Sequence, residues 1–222
     1  MESNYNKMYR LFETLNGLEI TNETKNRFLN EDVDTNEEQV PAELTPAFHQ
    51  WFGKSVVVDN GVPLICYHGS KAKFDRFDLD ATKINRTSNV QGVYFFGMKP
   101  QGTSFYVGDT GQLYACYLKI ENPYYPGRSY FPYASKALAR KYTELITKDY
   151  NYVEGKMARM DRGDFPDTLD GNQRRDVLLA GGFDGMIDGS LQYGEICVLD
   201  PLNIKSIYND GNWGATNPSL YS

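Results

Sequence analysis

The chain has 222 residues, 41% of them hydrophobic and 23% charged; this is globular rather than disordered, and long enough to bury a core without a metal or disulfide staple. A net charge of −6 weighs against a general nucleic-acid binder, since an acidic surface repels phosphate backbones, while leaving room for a local basic groove. Cys66, Cys116 and Cys197 each sit in an apolar run and form no pairing pattern, so they read as buried thiols in a reducing compartment rather than a disulfide framework.

The first residues, MESNYNKMYRLFETLNGLEI, are polar and mixed in charge and carry no apolar stretch of the signal-peptide kind. No apolar run approaches the length of a membrane span. The expectation is a protein without a membrane partner, acting in the cytoplasm of the producing or host cell. Met8, Leu11, Phe12 and Leu15 recur at helical spacing, which predicts a short amphipathic helix over 6–16 with Gly17 as its stop. The acidic stretch 30–43 reads as a linker or a charged surface strap. Residues 1–44 are therefore taken as an N-terminal helical and acidic extension, and 45–222 as the principal domain.

At Thr45 the pattern changes. Thr45 is an N-cap candidate followed by Pro46, and Phe48, Trp51 and Phe52 fall on one helical face. SVVVDNGVPLICYHGS then gives a β-branched run, a DNG turn and a second apolar run ending at His68, the signature of strand, turn and strand. Residues 71–90 are polar and irregular, as suits a loop over a pocket. GVYFF (92–96) is a short aromatic strand, and 97–111 a loop or short helix. QLYACYLKIENPYY (112–125) predicts a strand stopped at Asn122-Pro123. Residues 134–162, rich in Ala, Leu, Lys, Arg and Glu, predict one or two helices. RRDVLLAGG (174–182) predicts a helix with a glycine stop. FDGMID and EICVLD are short strands, and LNIKSIY (202–208) adds an edge strand. Short strands with helices between them, and no regular βαβ alternation, place the chain in the α+β class. No glycine-rich dinucleotide fingerprint and no P-loop is present.

The candidate chemistry is sparse. Only two histidines occur. His49 lies in an aromatic helix start and reads as a surface or packing residue. His68 ends an apolar strand and precedes Gly69-Ser70, a place suited either to packing or to binding a ligand. No Ser-His-Asp or Cys-His arrangement can be built around it. Asp78 with Asp80, and Asp184 with Asp188, lack the His or Cys partners of a metal site, so no metal is expected. Lys71, Lys73, Arg76 and Arg86 read as a solvated face or as contacts for a pyrophosphate.

Three short motifs, taken together, say more. YHGS at 67–70, GVYFF at 92–96 and GEICVLDPLNI at 194–204 resemble, in order, the three motifs of the His-Tyr-Glu ADP-ribosyltransferases, the class of diphtheria toxin and the poly(ADP-ribose) polymerases. The flanking FHQWFGKSVVVDNGVPLICYHGS, GFDGMID and DPLNIKSI resemble the ADP-ribosyltransferase domains of phage and mobile-element proteins. The resemblance spans about residues 45–210. It implies a split antiparallel β-sandwich with inserted helices and NAD, as co-substrate, in the cleft between two small sheets.

The resemblance also assigns roles. His68 would hydrogen-bond the adenosine-side ribose, and Gly69 would hold the nicotinamide carboxamide through its backbone, with Ser70 beside it. Tyr94 would stack on the nicotinamide ring. Tyr106, or Phe105, would close the other face, and Ser104, or Thr103, would bond the carboxamide. Glu195 would bind the 2′-hydroxyl of the nicotinamide ribose. The residue after the glutamate is Ile196, where the family usually carries Tyr or another large residue, and Tyr193 stands where arginine-directed relatives carry Glu or Gln. The implied activity is mono-ADP-ribosyl transfer from NAD to a macromolecule, a host protein rather than a nucleic acid. A NAD glycohydrolase, a nucleic-acid transferase and a non-catalytic phage module are the alternatives.

Overall fold

The computed structural model describes residues 44–80, 89–97, 107 and 111–222. The helix expected over 6–16 and the acidic stretch 30–43 lie outside these residues. The described part is α+β.

Helix α1 (Pro46–Phe52) starts at Thr45, whose hydroxyl accepts the Phe48 N–H at 3.3 Å, relieving a donor that the first helical turn leaves open. Its Phe48, Trp51 and Phe52 are buried with Tyr117, Ile207 and Trp213; the Phe48 and Trp213 rings meet edge to face at 4.8 Å. Strands β1 (Val58–Asp59) and β2 (Val62–Pro63) form a hairpin on Asn60-Gly61. Both turn residues have positive φ, 49° and 81°, the conformation that the two-residue Asn-Gly turn favours.

The remaining strands are β3 (Cys66–Ser70), β4 (Val93–Phe96), β5 (Gln112–Leu118), β6 (Pro123–Tyr124), β7 (Gly185–Asp188), β8 (Glu195–Val198) and β9 (Ile204–Ser206). They form one sheet in the order β6-β7-β8-β4-β3-β5-β9, antiparallel except for the β6–β7 pair. β5 ends at Leu118, short of the Asn122-Pro123 stop, and Pro123 instead opens the edge strand β6, a place where its missing N–H costs nothing. β9 is the other edge, as the sequence predicts.

The sheet is continuous but nearly divided. β3 is paired with β5 from Cys66–Cys116 to Ser70–Gln112, and β4 with β8 from Val93–Val198 to Phe96–Glu195. β3 and β4 meet at a single rung, Tyr67 with Phe96. The two small sheets implied by the resemblance are thus halves of one sheet joined at that rung.

Each face of the sheet buries its own core. One face carries Cys66, Val93, Phe95, Tyr114, Cys116, Ile196 and Val198, with Phe77 against them. The other face, with Met186, Cys197 and Leu199, is covered by α2 (Tyr133–Ile146), α3 (Tyr150–Met160) and α4 (Gly171–Ala180). Small residues Ser135, Ala139 and Thr143 form the buried side of α2, and Ser135 Oγ donates to the Val177 carbonyl of α4 at 2.8 Å. α4 begins earlier than its apolar residues suggest, because Asp170 and Gln173 form a reciprocal capping box. All three cysteines are free and buried, as expected. No helix among the described residues is long and apolar enough to cross a membrane.

Candidate active site

The near-division of the sheet comes where the three motifs meet. Beyond the Tyr67–Phe96 rung the facing edges of β3 and β4 carry no ladder among the described residues, and the His68 side chain takes its place. Its Nδ1 lies 2.8 Å from the Tyr94 carbonyl oxygen. A carbonyl only accepts, so Nδ1 carries the proton. Nε2 makes no hydrogen bond among the described residues and is left as an acceptor.

His68 is half-buried and backed by rings. Phe77 meets it edge-on at 4.9 Å and 86°, and Phe95 at 5.5 Å. Burial holds the His68 pKa below the ordinary histidine value, and the bond to the Tyr94 carbonyl opposes that only in part. The imidazole is therefore neutral at pH 7.

Register fixes the other two motif residues. Directly paired residues of antiparallel strands share a face. Tyr94 opposes Cys197, and Phe96 opposes Glu195, so Tyr94, Phe96, Glu195 and Cys197 point to one side. Gly69 shares the parity of Tyr67, the partner of Phe96, and belongs to the same side. The Tyr94 hydroxyl donates to the Val90 carbonyl at 2.7 Å. Burial first, then the neighbouring Cys197 thiol and the Glu195 carboxylate, hold the phenol well above its ordinary pKa, so Tyr94 is neutral and its ring, not its charge, is what it offers. Burial pushes the Cys197 thiol up to about 12, leaving it unreactive.

Glu195 opens β8 and is half-exposed, with no ion-pair partner among the described residues. The hairpin that presents it is shaped by glycines. A Cβ on Gly194 would lie 2.0 Å from the Asp188 carbonyl oxygen, and one on Gly97 would lie 1.6 Å from the Leu191 carbonyl oxygen. Close backbone packing on both sides thus aims the start of β8.

His68, Tyr94 and Glu195 are thereby brought together: the first two are hydrogen-bonded, and the last two share a face of adjacent strands. Ser70 ends β3, and its Oγ accepts the Ala72 N–H at 3.1 Å. Ser104 and Tyr106, with Thr103, Phe105 and Arg86, lie outside the described residues. Lys71, Lys73, Arg76 and His49 are exposed. No group of three His, Cys, Asp or Glu side chains suited to a metal gathers among the described residues. The sequence reading missed two features. Phe74 and Phe77, in the polar stretch FDRFD, wall His68; two aromatics in so polar a run were the available signal. Asp188 stands directly across from Glu195, which only strand register could reveal.

The family model described as ADP-ribosyltransferase in polyvalent proteins matches residues 59–214, a span that holds all three motifs. No curated protein and no solved structure matched the chain.

Proposed function

The chain belongs to the ADP-ribosyltransferases of polyvalent proteins, and on that premise we propose that it cleaves NAD and transfers one ADP-ribose unit to a protein, releasing nicotinamide. The observation that carries this reading is the Glu195 carboxylate, without an ion-pair partner among the described residues, on the face and beside the strand that bear Tyr94.

Cleavage breaks the bond between the nicotinamide nitrogen and the ribose carbon. The bonding electrons leave with nicotinamide, and positive charge builds on the ribose. A fixed carboxylate stabilises that charge more in the transition state than in the ground state, which is what raises kcat. Glu195 suits this role because no cation among the described residues neutralises it. Tyr94 offers an uncharged ring for the flat, cationic nicotinamide; such stacking contributes about 1–3 kcal/mol. The edge of β3 at Gly69, which carries no ladder toward β4 among the described residues, suits a carboxamide, whose N–H and C=O pair as a neighbouring strand would. His68, its Nδ1 tied to the Tyr94 carbonyl, turns an accepting Nε2 to a ribose hydroxyl. The nucleophile of the acceptor then joins the ribose carbon and loses its proton.

A protein acceptor is favoured over nucleic acid by the net charge of −6. Incubation of the protein with host lysate and NAD labelled on its adenylate tests the reading. The expected product is a labelled band that survives nuclease and is lost to protease. Label that is lost to nuclease moves the acceptor to nucleic acid, and free labelled ADP-ribose as the sole product makes the chain a hydrolase.

A further inference from the structure

Tyr114 of β5 stands directly across from His68, and the proposed reaction makes no use of it. Its hydroxyl sits between two backbone groups of the segment that follows β3. It accepts the Phe74 N–H at 2.7 Å and donates to the Ala72 carbonyl at 3.2 Å. Its ring stacks on Phe74 with centroids 4.3 Å apart and planes 11° from parallel. Phe74 meets Phe77 at 4.9 Å, and Phe77 meets the His68 imidazole at the same distance.

Without these contacts the segment has little reason to hold one shape. Residues 71–80 contain no helix or strand, and most of their side chains are exposed. Further along, the Leu220 N–H reaches the Asp75 carbonyl at 2.8 Å and the Gln91 amide reaches the Leu79 carbonyl at 3.2 Å. At the end beside His68 the Ser70 Oγ holds the Ala72 N–H, and the Tyr114 hydroxyl holds the Ala72 carbonyl and the Phe74 N–H. Burial first, with Tyr221, Cys116 and Asp75 nearby, pushes this phenol up to about 12. It therefore keeps its proton, and its donor bond, throughout the neutral range.

We infer that Tyr114 is a positioning residue, which fixes the 71–80 segment so that Phe74 and Phe77 wall the His68 imidazole and keep Nε2 aimed at the ribose of NAD. The identity of the ligand rests on the function proposed above; the wall does not. Removing the hydroxyl leaves the ring in place and releases the Ala72 carbonyl and the Phe74 N–H. Water then reaches the imidazole, and its charged form is better solvated. NAD binding loses a pre-arranged contact, while Glu195, on the other half of the sheet, is untouched. The loss therefore falls on KM rather than kcat.

The test is an NMR titration of the two histidines in the wild type, Tyr114→Phe and Phe74→Leu, alongside steady-state nicotinamide release. The exposed His49 is the internal reference. The expected result is a His68 midpoint that rises toward the ordinary histidine value in both variants while His49 stays still. KM for NAD rises on the order of tenfold, and kcat stays within about twofold. An unchanged His68 midpoint in folded Tyr114→Phe overturns the inference; should that variant not fold, an unchanged midpoint in Phe74→Leu does so. A shifted midpoint with unchanged KM overturns the link to NAD. Absence of nicotinamide release by the wild type would instead defeat the proposed function, and the titration would still decide the role of Tyr114.

Discussion

At the scale of residues, a neutral imidazole bonds the Tyr94 backbone carbonyl, and the Glu195 carboxylate, without an ion-pair partner among the described residues, shares the face of the sheet that bears Tyr94. The imidazole links the site to stability. The folded pKa of His68 lies below the ordinary 6.5 because burial opposes its charge. As pH falls, the unfolded chain takes up this proton first. The contribution of His68 is thus complete above about pH 6.5 and is lost as pH drops toward the folded value. Thermal midpoints measured from pH 7 to pH 5 should fall more steeply for the wild type than for His68→Asn, which is neutral throughout; parallel curves would contradict this. Across the hairpin, Asp188 and Glu195 are directly opposed carboxylates, an arrangement that costs stability by about 0.2–1 kcal/mol. Asp188→Asn should therefore melt slightly higher than the wild type, and a lower midpoint would contradict the pairing. The motif residues were legible because their chemical types and order survive in the linear text. The ring wall and the Asp188 partner were not, since they depend on which strands become neighbours.

At the scale of elements, the β7–β8 hairpin aims Glu195, and Gly97 gives it room. Gly97→Ala would put a methyl group against the Leu191 carbonyl at a distance no backbone tolerates. The hairpin must shift, at a cost of about 2 kcal/mol. Displacement of the carboxylate should lower kcat on the order of tenfold or more. Denaturant unfolding and turnover together check both halves of this prediction; an active, fully stable variant would show that the close approach is not needed. α1 was legible from its cap and apolar face, α2 and α3 from their helix-forming composition, α4 from its glycine stop, and most strands from their apolar runs. The end of β5 was not. Nothing in the apolar text separates a strand residue from the buried crossing that follows it, since Ile120 is wholly buried outside the strand. The start of α4 was missed because its first turn is polar and is set by a cap rather than by an apolar face.

At the scale of the whole described domain, the sheet is almost cut between β3 and β4, and the cut is where His68 bonds the Tyr94 carbonyl. Strand order and the single joining rung could not be read from sequence, because every strand pair looks alike in composition. The side of the sheet away from the cut is held by a buried cation. Lys205 of β9 is wholly buried, and its Nζ donates to the carbonyls of Asn217, Ser219 and Ser222. Lys205→Met would leave those carbonyls without a donor, and a loss of about 2–4 kcal/mol is expected in denaturant unfolding; an unchanged midpoint would show that they are satisfied otherwise. In the proposed reaction Glu195 stabilises the charge that develops when NAD is cleaved. The measurement that tests it most directly is nicotinamide release from NAD by the wild type and by Glu195→Gln, with NAD binding followed for both. The expected result is release by the wild type, a fall on the order of a hundredfold or more in the variant, and binding retained. Equal release by the two proteins would contradict it.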